Sequence, residues 1–150
     1  MCIWSWWACF TAPFIPKPLT KAECEADKDK LGISDCNICD NGNAGNYWVG
    51  TVAQCGNIKN LPSAADIAKL ASIIYGRSIG NDETIWNGLT ASSSVLTSVG
   101  IQNVPFSLWS REMGSNLDYS PYIRYFSNSY TYWSDMYDYS YTNTLGICIN

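Results

Sequence analysis

The sequence predicts an α+β domain stabilised by disulfides, and three observations carry that expectation. Stretches at residues 20–31 and 63–75 open with helix-capping residues and close at glycine. Runs at 47–52, 106–110 and 145–149 have the β-branched, aromatic or apolar content of strands. Seven cysteines are spread over the whole chain, which suits crosslinks formed in an oxidising compartment. At 150 residues the chain is long enough to bury one real core.

The opening Met-Cys-Ile-Trp-Ser-Trp-Trp-Ala-Cys-Phe is apolar but far too short to span a bilayer. It has no basic n-region and no small-residue cleavage site, so it does not read as a signal peptide. Trp4, Trp6 and Trp7 are expected in a core or an interface. Cysteines that argue for export, without an export signal, predict an excised part of a longer protein. Residues 11–19 hold three prolines and read as a stiff, extended connector. Thr20 and Glu23 form a capping box, so a helix runs to about Leu31 and stops at Gly32. Its middle is charged, leaving one face solvated, and Cys24 on it is close enough to Cys36 to bridge.

Residues 40–46 (Asp-Asn-Gly-Asn-Ala-Gly-Asn) are rich in turn formers. They lack the closing bidentate Glu of a calcium loop and are read as a plain loop. Tyr47-Trp-Val-Gly-Thr-Val52 has strand composition. Ser63 caps a helix over 64–75, with Ile67, Leu70, Ala71 and Ile74 as one buried stripe and Gly76 as its stop. Thr90 is expected to cap a short helix over 91–99 that ends at Gly100, with Val95 and Val99 toward the core and Leu96 beside them. Residues 106–110 and 145–149 close the account as strands, and no internal repeat is present.

Composition removes several functions. Net charge is −4 and Lys and Arg are scattered, so the clustered cations that phosphate contacts require are missing and nucleic acid is not expected as a partner. The chain has no histidine, the commonest general acid/base and metal ligand. Cys36-Asn-Ile-Cys39 is a lone CxxC without a second pair, so no metal and no cofactor are expected.

The last third has a different texture. Of the 29 residues from 115 to 143, all but Leu117, Pro121, Ile123, Arg124, Phe126, Trp133 and Met136 are Ser, Thr, Asn, Asp or Tyr, and eight are Tyr. Tyr offers a large rigid surface and a hydroxyl, and Ser and Asn add adaptable donors and acceptors; antibody paratopes use this mixture. Eight phenols would need eight buried partners, so several of them must face solvent. An exposed aromatic patch marks an interaction site. A disordered low-complexity tail is disfavoured by Phe126, Trp133 and the return to Gly146-Ile-Cys-Ile. Ordinary edge strands with cross-strand Tyr pairs remain compatible with binding. The predicted contacts are Asn116, Tyr119, Tyr122, Ser127, Asn128, Tyr130, Tyr132, Asp135, Tyr137, Asp138, Tyr139, Tyr141 and Asn143. Arg124 is read as a contact or as one half of a structural ion pair, and Phe126, Trp133 and Trp109 as scaffold.

A family resemblance rests on particular segments. Asn60-Leu-Pro-Ser-Ala-Ala-Asp-Ile-Ala-Lys-Leu70 resembles the helix start of bacterial C-type-lectin-like domains related to the formylglycine-generating enzyme. Phe106-Ser-Leu-Trp-Ser110 resembles one of their strands, and Tyr122-Ile-Arg-Tyr-Phe126 and Leu145-Gly-Ile-Cys-Ile149 resemble their last ones. The likeness covers residues 47–149. It implies a C-type lectin-like fold with two to three helices around small twisted antiparallel sheets and long loops. Residues 1–46 would then be a cysteine-containing extension with one helix, and 47–150 the ligand-binding domain. Within that fold, residues 115–143 resemble the variable region of diversity-generating-retroelement target proteins, in which Asn codons are diversified to Tyr, Ser, Asp, Thr, Ile or Phe. The segment from Tyr47 to Gly56 resembles C-terminal domains of bacterial pilin-like surface proteins. The resemblance pairs Cys55 with Cys148; Cys24–Cys36 and Cys9–Cys39 are the next expected bridges.

These readings converge on a non-enzymatic binding domain, extracellular or on a cell surface, with a protein or glycan on another cell, virus or host as ligand. No direct membrane insertion of this segment is expected, and it fits within a longer surface or pilus protein. Alternatives are a structural or adhesive pilin-like module and a calcium-independent glycan-binding lectin. Calcium-dependent sugar binding is disfavoured because Trp86-Asn-Gly88 lacks the expected acid and no Glu-Pro-Asn or Gln-Pro-Asp is present. The family's enzymes use a reactive cysteine pair near the end of the fold, where only Cys148 stands, and Asp135 and Asp138 read as solvated loop carboxylates rather than a catalytic pair.

Overall fold

A computed structural model describes residues 9–34, 36, 45–102, 104–113, 121–135 and 144–149, apart from the side chains of 113, 121, 122, 134 and 135. The fold is α+β. Four α-helices, α1 (Lys21–Leu31), α2 (Tyr47–Cys55), α3 (Ala64–Tyr75) and α4 (Ser93–Ser98), surround a sheet of β1 (Phe106–Met113), β2 (Pro121–Phe126), β3 (Thr131–Asp135) and β4 (Thr144–Leu145). The sheet order is β3-β2-β1-β4. The β1–β2 and β2–β3 pairs are antiparallel but β1–β4 is parallel, so the sheet is mixed rather than wholly antiparallel.

Local chemistry sets the boundaries of α1 and α3 as expected. Thr20 and Glu23 form the reciprocal capping box of α1, and Gly32 ends it in the left-handed region at φ 75°. Ser63 and Asp66 do the same at the start of α3. The Glu112 carboxylate also accepts from the Ala64 amide there, placing negative charge at a helix N-terminus. The fourth helix is shorter than expected and is capped by Ser92, not Thr90.

Residues 47–52 correct the sequence reading: they form the first turns of α2, not a strand. Asn46, assigned by composition to the preceding loop, is the N-cap, and its side chain accepts from the Val49 amide at 2.9 Å. Trp48, Val49 and Val52 then fall on one buried side, and the Trp48 indole donates to the Ser110 carbonyl at 2.9 Å. Packing and a cap outweigh β-propensity here, which is a weak and context-dependent preference.

The sheet divides the core. Phe106, Leu108 and Phe126 point to one face and join Ile67, Leu70, Ala71 and Ile74 of α3 and Leu96 and Val99 at α4. Trp109 and Ile123 point to the other face and pack with Cys24 and Leu31 of α1 and Trp48, Val49 and Val52 of α2. Residues 9–19 form an extended strap, as the prolines predicted. Phe14 and Gly146 exchange backbone bonds of 2.9 and 2.8 Å, and Leu19 and Asn46 exchange bonds of 3.0 and 2.7 Å. The end of the chain is less regular than expected. Only Thr144–Leu145 is sheet, and Gly146 and Ile149 bridge instead to the strap.

Two expected disulfides are present, Cys24–Cys36 and Cys55–Cys148. In the chain-entropy model their 12- and 93-residue separations correspond to about 3 and about 4–5 kcal/mol. Cys36 is therefore not available as a zinc-binding thiolate. Cys9 is disulfide-bonded; Cys39, its expected partner, lies outside the described residues. The disulfides point to an oxidising environment. Among the described residues no helix is long and apolar enough to cross a membrane.

Candidate binding face

Strand alternation separates scaffold from surface along the β2–β3 hairpin. Arg124 and Phe126 point inward and are fully buried. Tyr125 between them points to the opposite face, where it stands directly across from Tyr132 with ring centroids 5.1 Å apart. Tyr130 at the end of the turn lies 5.6 Å from Tyr125 and 6.2 Å from Tyr132. Trp86 comes from the loop that runs along β3, stacks on Tyr132 at 5.1 Å and lies tilted by 35° at 6.1 Å from Tyr130. The result is a four-ring cluster with rings within 35° of parallel. Tyr125, Tyr130 and Tyr132 are half-buried, and Trp86 is 61% exposed.

The cluster is held from below. Ile85 and Thr131 exchange two backbone bonds of 2.9 Å, fixing the Trp86 loop to the edge strand. Arg124 reaches the same loop through the sheet. Its Nε donates to Thr131 Oγ1 at 2.9 Å and its Nη2 to the Glu83 carbonyl at 2.8 Å, with the guanidinium 5.1 Å from the Trp133 ring. Burial lowers its pKa from 12.5 to about 10, partly offset by Tyr75, Glu83 and Asp82. The hairpin turn is tied by the Tyr75 hydroxyl, which donates to the Ser127 carbonyl at 2.8 Å. Ser127 Oγ accepts from the Tyr130 and Ser129 amides at 3.1 and 3.3 Å. Burial pushes the Tyr75 phenol up to about 12.

A shallow hollow of about 290 Å³ adjoins the rings, lined by Val104, Pro105, Tyr125, Ser127, Asn128, Ser129 and Tyr130. This arrangement offers π-faces and edges, hydroxyls and amides on a fixed backbone. Among the described residues no group of three or more Cys, Asp or Glu side chains could hold a metal ion.

The structure thus brings together Asn128, Tyr130 and Tyr132 of the predicted contacts. Ser127 is buried in the turn. Arg124 is fully buried and acts as an internal brace; among the described residues its hydrogen bonds go to a hydroxyl and to carbonyls and its guanidinium lies against Trp133, without an ion pair. Tyr122 and Asp135 face each other in register at the far end of the hairpin, but their side chains lie outside the described residues. Asn116, Tyr119, Tyr137, Asp138, Tyr139, Tyr141 and Asn143 also lie outside them. Phe126 and Trp109 are scaffold as expected, and Trp133 packs partly buried against the same core. Sequence reasoning missed Tyr125 and Trp86. Period-2 alternation from Phe126 signals Tyr125; nothing local signals Trp86, which is brought in by a loop 39 residues before Tyr125. No family model, curated protein or solved structure matches the chain.

Proposed function

We propose that this chain is a ligand-binding domain, extracellular or displayed on a cell surface, whose contact face is centred on Trp86, Tyr125, Tyr130 and Tyr132. One observation carries the reading: four aromatic rings are gathered on an open face and braced by a buried arginine and a buried tyrosine. Rigid aromatic anchors with few torsions to freeze are the groups that dominate binding energetics. Bracing them beforehand lowers the ordering cost of association.

The α+β arrangement, the mixed sheet and the Cys55–Cys148 bridge are compatible with a C-type lectin-like framework. In that framework residues 115–143 serve as a variable region of the diversity-generating-retroelement type. The ligand is a protein or glycan on another cell, virus or host, and the domain works as the adhesive part of a longer surface protein rather than as an enzyme.

The test is a screen of immobilised cell-surface proteins and glycans with the wild type and with Trp86→Ala. The variant removes two ring contacts at an exposed position, so its stability falls by about 1 kcal/mol. Its affinity falls about 30-fold, the loss typical of a hot-spot residue. Equal binding by both proteins would refute the assignment of the face. For the diversified region, the encoding locus should hold a near-identical copy of the 115–143 coding segment that differs only at adenines, beside a reverse transcriptase; a locus without them refutes diversification.

A further inference from the structure

The hollow beside the rings does not end at the hairpin. A second hollow of about 260 Å³, lined by Ala91, Ser93, Leu96, Thr97, Gln102, Val104 and Asn128, shares Val104 and Asn128 with the first. The lining residues run from Tyr125 and Tyr130, past the shared Val104 and Asn128, to Ser93, Leu96 and Thr97 of α4, a track of adjoining hollows along the surface. No described residue lining either hollow carries a charge. The polar groups are a short run of hydroxyls and carboxamides: Ser127, Ser129, Asn128, Ser93, Thr97 and Gln102. Asn128, Ser93, Thr97 and Gln102 are exposed, so their donors and acceptors are open to a ligand.

We infer that this track takes a neutral, linear oligosaccharide, with one sugar against the ring cluster and the following sugars along Asn128 toward α4. This rests on the proposed binding face and names its ligand class. A sugar has an apolar face of C–H groups that packs on aromatic rings and a rim of hydroxyls that both donate and accept. Carboxamides and hydroxyls match that rim because each also donates and accepts. A charged ligand would enter a track without a countercharge and lose hydration without replacement. Each hollow alone is at or below the small end of ligand sites, so an extended ligand that reaches from one into the other suits them better than a single sugar.

The probe is an array of neutral linear glucans and chito-oligosaccharides from two to six units, with sulfated and sialylated oligosaccharides and immobilised proteins on the same surface. Three proteins are compared: wild type, Trp86→Ala at the ring end and Thr97→Trp at the α4 end. Thr97 is exposed, so the bulky replacement leaves the fold intact, as thermal unfolding will verify. The inference expects wild-type affinity for neutral oligosaccharides to rise with length. Thr97→Trp reduces the hexasaccharide to disaccharide affinity, about tenfold or more, and leaves the disaccharide unchanged. Trp86→Ala weakens both. Binding only to anionic sugars or to proteins, still dependent on Trp86, overturns the oligosaccharide inference and leaves the binding face standing. Binding of neutral sugars with no length effect of Thr97→Trp overturns the track. No Trp86-dependent binding of any probe overturns the inference and the face together.

Discussion

Gly50→Ala sets two physical effects against each other, and the structure decides between them. Gly50 lies inside α2, where a glycine costs about 1 kcal/mol relative to alanine, so helix propensity alone makes the substitution stabilising. A Cβ at this position, however, would lie 1.9 Å from the Lys17 carbonyl oxygen and 2.8 Å from its carbon. Contacts under 3.0 Å are essentially never tolerated, so the strap must retreat by about 1 Å or more. It has little freedom to do so. Pro16 and Pro18 fix the backbone on both sides of Lys17, and the strap is bonded to Gly146 at Phe14 and to Asn46 at Leu19. Retreat also stretches the 2.9 Å bond from the Lys17 amide to Gln54 Oε1. Overpacking of this kind costs about 1–3 kcal/mol, and each weakened hydrogen bond adds about 0.5–1.5 kcal/mol. After the propensity gain the expected net loss is about 2 kcal/mol. Equilibrium urea denaturation of the oxidised protein measures it directly. A Gly50→Ala protein as stable as the wild type, or more stable, would show that the strap does not seat on α2.

Arg124→Met removes two short hydrogen bonds from a charged donor, worth about 1.5–3 kcal/mol each, and recovers part of the desolvation that lowers the guanidinium pKa. A net loss of about 2–4 kcal/mol in denaturant titration is expected, with a weakened near-ultraviolet dichroism from the Trp86 stack; unchanged stability and dichroism would contradict the brace. Tyr75 supports the fold through its neutral phenol. That contribution is complete below pH 10 and is lost as pH rises through about 12, because the unfolded chain ionises first. Arg124, lowered to about 10, has the opposite slope over the same window, since the unfolded guanidinium keeps its proton longer. Phenolate absorbance should therefore show a late-ionising tyrosine that is missing in Tyr75→Phe; identical titrations would sink the assignment. Cys148→Ser opens the 93-residue loop and is expected to cost about 4–5 kcal/mol, well above the cost of Cys36→Ser at about 3 kcal/mol. Thermal unfolding of the two variants in the reverse order would contradict the loop-entropy account.

Much of the framework is legible in the sequence because it is governed by local chemistry. Thr20 with Glu23, and Ser63 with a stripe of Ile67, Leu70, Ala71 and Ile74, specify helices whose caps and buried faces follow from spacing alone. Prolines in 11–19 specify an extended segment, and Phe126, Trp133 and the return to Gly146-Ile-Cys-Ile mark the serine- and tyrosine-rich tail as tied back into a core. The segment 47–52 is illegible by the same logic, since its β-branched and aromatic residues favour a strand until Asn46 caps it and Trp48 finds the Ser110 carbonyl. The surface cluster of aromatic rings was legible in kind but not in membership. Composition marks tyrosines as surface groups, yet it cannot say that Arg124 turns inward to hold a loop. Nor can it bring Trp86 over the edge strand onto Tyr132. Residue types and short-range spacing determine which elements form; which rings meet is decided by strand pairing and loop anchoring between residues far apart in the chain, whose energies exist only once the sheet is assembled.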